Sequence, residues 1–181
     1  MNLWPNPQVN NEAKKGLHSK MKADSAHKSK WVIAEVVFGV PFLLGLGLQF
    51  VFPLSFPPGI VHKILASIGT ILIITSIGFI VLTRREFSHY DQTTDPGHPT
   101  SKVIKTGVFS ISRNPLYLGS VIMFLGIALV ISTYWALLVL LISIIVCHYI
   151  LIIPEEKYLA AKFGVEYKEY TESVHRWLGR K

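Results

Sequence analysis

The chain has 181 residues, 50% of them hydrophobic and only 16% charged, with a formal net charge of +7. Soluble domains carry about 25% charged residues, so this composition excludes an ordinary soluble domain and points to the bilayer. The positive balance comes with no base-stacking or groove-reading motif, so the expected partner is anionic lipid and not nucleic acid.

Residues 1–30 are polar, hold six lysines, and are expected to form a disordered basic N-terminal arm. They lack an apolar core of the signal-peptide kind, so the first span itself must direct insertion. From residue 31 onward, charge all but vanishes in blocks. Glu35 stands alone between Lys30 and Lys63, and Ile64 to Thr83 carries no charge. Asn114 to Pro154 is a run of 41 residues without Asp, Glu, Lys or Arg. A bilayer core takes roughly 17–25 apolar residues per helix, so the long run must hold two spans. Ser132-Thr133-Tyr134-Trp135 near its middle is the natural turn, with an aromatic pair suited to the interface. Four spans are predicted, near 32–52, 62–82, 115–131 and 135–153. Phe52 to Gly59 reads as a tight apolar turn, and Gly45, Gly47, Gly69 and Gly78 as sites of close helix approach. Glu35 reads as an interfacial charge or part of a site.

The arm to Lys30 holds six Lys and Arg, the 84–113 segment five, and the chain after Pro154 six, against one in the first connection and none in the third. Four spans place all three basic segments on one side, which the positive-inside rule makes cytoplasmic. The resulting location is a multi-pass protein with cytoplasmic termini, in the inner membrane of a bacterium or the endoplasmic reticulum of a eukaryote. The 84–114 loop is rich in turn formers, with Asp95-Pro96-Gly97, Pro99 and Gly107, and is expected to fold back on the membrane surface. Pro154 is expected to kink the chain or start a new helix. Helices over 155–178 follow, with Gly164 as the break between them. The fold class is thus all-α: a polytopic helical bundle, residues 31–181, with four transmembrane helices and C-terminal cytoplasmic helices.

The polar residues gather in two places, Lys105 to Gly119 and Pro154 to Tyr170, each beside the same end of a span. They offer Arg113, Asn114, Tyr117 and the adjacent carboxylates Glu155 and Glu156. A carboxylate accepts both hydroxyls of a ribose, and a guanidinium pairs with an α-carboxylate; S-adenosylmethionine has both groups. Simpler roles exist for each. Arg113 can anchor a helix end at the headgroups, Asn114-Pro115 can be a helix start, and Glu155-Glu156 can favour a helix N-terminus. His89, His98 and His148 are more often surface or satisfied histidines. His148 lies about two turns before Glu155 and is expected on nearly the same face. The single cysteine, Cys147, excludes an intrachain disulfide and makes a metal or redox cluster implausible.

The stretch Gly107-Val-Phe-Ser-Ile-Ser-Arg-Asn-Pro-Leu-Tyr-Leu-Gly119 resembles the Arg-(His/Asn)-Pro-x-Tyr-x-Gly signature of the isoprenylcysteine carboxyl methyltransferase and phospholipid methyltransferase superfamily. Glu155-Glu156, the trailing Phe163-Gly164-x-x-Tyr167-x-x-Tyr170 and Val174-x-Arg176 resemble its later motifs. The resemblance covers residues 65–178. It implies a small helical bundle that binds S-adenosylmethionine at the cytoplasmic face, without a soluble Rossmann domain. By that resemblance Gly107, Arg113, Asn114, Tyr117, Gly119, Glu155, Glu156 and Tyr167 line the cofactor site, and Arg113, Arg176 and His148 are the catalytic candidates. Asn114 stands where many members have His and cannot titrate near neutral pH. The implied reaction is methyl transfer to a lipophilic or small acceptor: an isoprenylcysteine carboxylate, a phospholipid amine or a thiol. The contrasting reading is a non-enzymatic four-helix transport or assembly subunit, against which stands the near absence of intramembrane charge.

Overall fold

The computed structural model describes residues 34–92 and 100–181. The arm 1–30, the Asp95-Pro96-Gly97 and Pro99 turn formers and His98 lie outside the described residues. Among those described, the fold is helical apart from two isolated bridges. The helices are α1 (Ala34–Val51), α2 (Ile60–His89), α3 (Pro115–Ile131), α4 (Tyr134–Cys147), α5 (Ile153–Phe163) and α6 (Val165–Ser173). A 3₁₀ turn at Gly107–Ser110 precedes α3, and a π turn at His148–Ile152 joins α4 to α5. Ala34–Val51, Ile60–His89 and the continuous Tyr134–Phe163 are long and apolar enough to cross a membrane. The apolar α3, of 17 residues, meets the lower limit of about 17 for a span. The result is a four-span bundle.

Its surface is that of a chain dissolved in lipid. Leu43, Phe50 and Ile74 are exposed, while Ser76 and Thr83 are fully buried. Their hydroxyls donate back to Ile73 O and Phe79 O, both at 2.8 Å, so neither polar group needs water. α2 packs along α3, and α1 along α4. A Cβ on Gly69 would come within 2.6 Å of Gly126 O, and one on Gly126 within 2.7 Å of Gly69 O. Gly45 likewise meets Val139 of α4 at 2.9 Å. These glycines let backbones touch where no hydrophobic force drives association. Gly47 and Gly78 face open space and do not share that role.

The connection 52–59 is stitched to the turn between α3 and α4. Gln49 accepts from Thr133 Oγ1 at 2.7 Å and donates to Ser55 Oγ at 2.8 Å. Phe56 N donates to Ser132 O at 2.9 Å, and Tyr134 N to Leu54 O at 3.1 Å. The predicted Ser132–Trp135 turn thus falls between Ile131 and Tyr134, with Ser132 in the left-handed region.

Two sequence expectations need correction, and a third is met with an irregularity. α2 continues to His89, so Arg84 to His89 of the expected 84–114 loop are helical; Arg and Glu are good helix formers, and no Gly or Pro interrupts them. Pro154 stands in the first turn of α5, the helix start expected of it. Ile153 N reaches back to His148 O through the π turn, so one helix runs on to Phe163. The helices expected over 155–178 stop at Ser173, where Val174 turns extended (φ −131, ψ 137). The last residues return as a bridge between Val174 and Arg180.

Candidate active site

At the end of the bundle where Arg and Lys gather, three segments meet: the start of α3, the start of α5 and the tail after Ser173. The tail lies along the loop before α3. Arg113 N donates to His175 O at 3.2 Å, and Gly179 N to Ile111 O at 2.7 Å. Asn114 precedes the helix and Pro115 opens it, as its sequence suggests. Its side chain, however, does not cap α3 and instead donates from Nδ2 to Arg176 O at 3.0 Å. A satellite core of Ile104, Val108, Phe109, Tyr167, Tyr170 and Val174 supports this junction. Tyr170 OH donates to Phe109 O at 2.7 Å.

The adjacent carboxylates go different ways. Tyr117 OH, one turn into α3, donates to Glu155 Oε2 at 3.0 Å. Glu156 receives two guanidinium groups. Arg176 grips it with Nε at 2.9 Å and Nη2 at 2.6 Å, and Arg113 Nη1 stands 3.1 Å from Oε1. The side chains of Arg113 and Glu156 are only 9% and 15% exposed. The hydrogen bond to Glu156 raises the Arg176 pKa above its ordinary value. Among the described residues, Arg113 Nε is buried without a partner.

Burial pushes the Tyr167 hydroxyl up to about 12, the Glu156 carboxylate adding to the shift and Arg113 opposing it. Tyr170 is raised as well, first by burial and then by its neighbour Tyr167. Arg113, Glu155, Leu159 and Tyr167 share a cavity of about 60 Å³ with Phe87, Val103 and Phe109. Phe87, Val103 and Leu159 had no signal in sequence beyond being apolar; the length of α2 is what carries Phe87 into the wall.

Of the residues singled out in sequence, Arg113, Asn114, Tyr117, Glu155, Glu156, Tyr167 and Arg176 come together. Gly107 and Gly119 stand at packing junctions. A Cβ on Gly119 would lie 2.7 Å from Ile80 Cγ1, and Gly107 has φ +54 with the Glu86 carboxylate pressed against it. His148 does not join the cluster. It makes an edge contact with Tyr149, ring centroids 5.1 Å apart. A π turn inserts one residue, which shifts the helical register by about 100° and removes His148 from the face of Glu155. Glu35 is exposed at the start of α1.

Residues 37–166 match the phospholipid methyltransferase family. An uncharacterized protein of Haemophilus influenzae is 38% identical over 63 residues, which are 35% of this chain and the whole of that protein. No solved structure matches. With its helical membrane bundle and most of its length inside that match, the chain belongs to the phospholipid methyltransferase family, a family of membrane methyltransferases.

Proposed function

We propose that the cluster around Arg113 and Glu155 holds S-adenosylmethionine, and that the chain passes its methyl group to a lipophilic acceptor reached from the bilayer. The observation that carries this reading is Arg113. Its side chain is 9% exposed, one nitrogen is paired with Glu156, and Nε is buried without a partner among the described residues. An unsatisfied buried donor costs about 1–3 kcal/mol, more when charged, and a ligand carboxylate would relieve it. Glu155 lines the same cavity beside Tyr117, and a carboxylate there suits a ribose diol or an α-amino group. Tyr167 and Phe87 offer aromatic walls for a purine.

The donor set therefore fits the cofactor. The cavity, at about 60 Å³, falls short of the roughly 300–1,000 Å³ of ordinary ligand sites, so its walls must open to admit the cofactor. Glu156, already neutralised by two guanidiniums, serves by fixing Arg113 and Arg176. Asn114 fixes the tail, and Gly107 and Gly119 allow the loop and α3 to approach α2.

When bound, S-adenosylmethionine supplies a methyl group on a positively charged sulfur, a leaving group that needs no protonation. The chain's residues align the partners and exclude water. Asn114 cannot act as a base, and an acceptor that is already a carboxylate, a thiolate or an uncharged amine needs none. The positive-inside rule sets this end of the bundle in the cytoplasm. Calorimetry with S-adenosylhomocysteine on folded protein tests the reading, and wild type without heat of binding sinks it. Glu155→Gln is expected to weaken binding at least tenfold. Labelled methyl transfer to lipid extracts and prenylcysteine analogues then identifies the acceptor.

A further inference from the structure

Glu86 lines no part of the inner cavity, yet it holds the loop that does. It stands near the end of α2, directly after Arg84 and Arg85. Among the described residues it makes no ion pair, and Lys105 pairs with Glu166 at 3.3 Å. Its carboxylate is turned to the loop before α3.

Thr106 Oγ1 donates to Glu86 Oε2 at 3.2 Å. A hydroxyl has one hydrogen to give, so Tyr90 OH, 3.0 Å away, donates to Thr106 Oγ1 in turn. The chain Tyr90–Thr106–Glu86 ties the loop at both ends to one stretch of helix, since Tyr90 caps α2. The next loop residue, Gly107, has φ +54 and no room for a Cβ beside the Glu86 carboxylate. Glycine meets both demands.

α2 thereby grips the 3₁₀ turn Gly107–Ser110 from two sides. Glu86 and Phe87 are adjacent and so point about 100° apart. Glu86 and Gly107 border an outer recess of about 540 Å³, whereas Phe87 and Phe109 line the inner cavity. The rings of Phe87 and Phe109 meet edge to face, with centroids 5.3 Å apart. The turn is also braced within itself. Phe109 N donates to Thr106 O at 3.0 Å, Ser110 Oγ to Gly107 O at 2.8 Å and Ser112 N to Val108 O at 3.1 Å. A shift at Gly107 is therefore passed on to Phe109. Arg113 is held separately, by Glu156 and by His175 O.

We infer that Glu86 is a positioning residue for cofactor binding: it fixes Thr106 and Gly107, and through them sets Phe109 against Phe87 in the aromatic wall of the inner cavity. It touches no reacting atom. The inference rests on the reading of that cavity as the S-adenosylmethionine site.

The test is calorimetry with S-adenosylhomocysteine on the full chain in micelles, with amide hydrogen exchange followed on the same ligand-free samples. Glu86→Ala and Thr106→Val are each expected to weaken binding about tenfold, the scale of one hydrogen bond to a charged group. The double variant is expected to bind no more weakly than either. Glu86→Gln, whose amide oxygen still accepts from Thr106, is expected to bind like wild type, and so is Arg85→Gln, which removes a neighbouring charge alone. Exchange over residues 107–112 is expected to quicken in Glu86→Ala and to match wild type in Glu86→Gln. Undiminished affinity in Glu86→Ala, equal loss in Glu86→Gln or Arg85→Gln, or additive losses in the double variant overturn the inference. A wild type without heat of binding sinks the cofactor reading instead, and exchange then decides the placement of the loop: no quickening in Glu86→Ala overturns it. If Glu86→Ala does not fold, Thr106→Val against Glu86→Gln carries the same comparison.

Discussion

Replacing Glu156 by Gln removes the charge that two guanidiniums share. Arg113 and Glu156 are 9% and 15% exposed, 3.1 Å apart, so the loss is that of a buried pair with one partner removed. Such losses run to about 3–5 kcal/mol. The amide retains an acceptor oxygen, and Arg176 is 36% exposed, where solvent screens its share. The lower figure is therefore expected, about 3 kcal/mol or roughly 100-fold in the folding equilibrium. Arg176→Gln leaves Glu156 paired with Arg113 and is expected to cost about 1 kcal/mol. The double variant is expected to cost about as much as Glu156→Gln alone, because the Arg176 contact is already weakened. Reversible unfolding in mixed micelles, followed by tryptophan fluorescence, measures all three. The comparison is Lys105→Gln, which breaks an ion pair with side chains 38% and 52% exposed and should cost under about 1 kcal/mol. If Glu156→Gln costs no more than Lys105→Gln, or the single costs simply add, the buried cluster is not a unit and the reasoning fails.

Alkaline pH should also find a weak point. The folded Tyr167 pKa of about 12 exceeds its ordinary value of 10.0, so its stabilisation is complete below pH 10 and is lost as pH rises toward 12. An unfolding series should fall in that window, and Tyr167→Phe should flatten the fall. Tyr170→Phe should cost about 1–2 kcal/mol by leaving Phe109 O without its donor, visible as a lowered melting temperature. Gly126→Ala, favourable in an open helix, should instead destabilise by about 1–3 kcal/mol against Gly69 O. Gly47→Ala and Gly78→Ala, with open space around them, should be neutral or mildly stabilising in the same assay.

Much of the bundle was legible because a bilayer writes its thickness into charge-free runs. The 41-residue run from Asn114 to Pro154 demanded a turn, and Ser132 to Trp135 supplied it. The meeting of Arg113, Tyr117, Glu155 and Glu156 followed from their places at the same end of neighbouring spans. What the spacing left open was the partner of each. Glu155 and Glu156 are adjacent in sequence and so lie about 100° apart around a helix, which sends one to Tyr117 and the other to the guanidiniums. Arg176 falls within the helices expected over 155–178. Yet the tail gains more from pairing with Ile111, Arg113 and Asn114 than from a further turn. Such long-range backbone exchange has no local signature.

The helix through Pro154 carries the same lesson into the site. Proline has no N–H and crowds the carbonyl four residues back, so a regular helix there would be left with an unpaired carbonyl. Ile153 N instead reaches five residues back to His148 O. In a regular helix Glu155, seven residues after His148, would lie within about 20° of it, which is the basis for expecting them on one face. The extra residue of the π turn moves everything after it by about 100°. His148 is left against Tyr149, and the two carboxylates are delivered to α3 and the tail. The irregularity that defeats the periodicity argument is therefore the feature that builds the site.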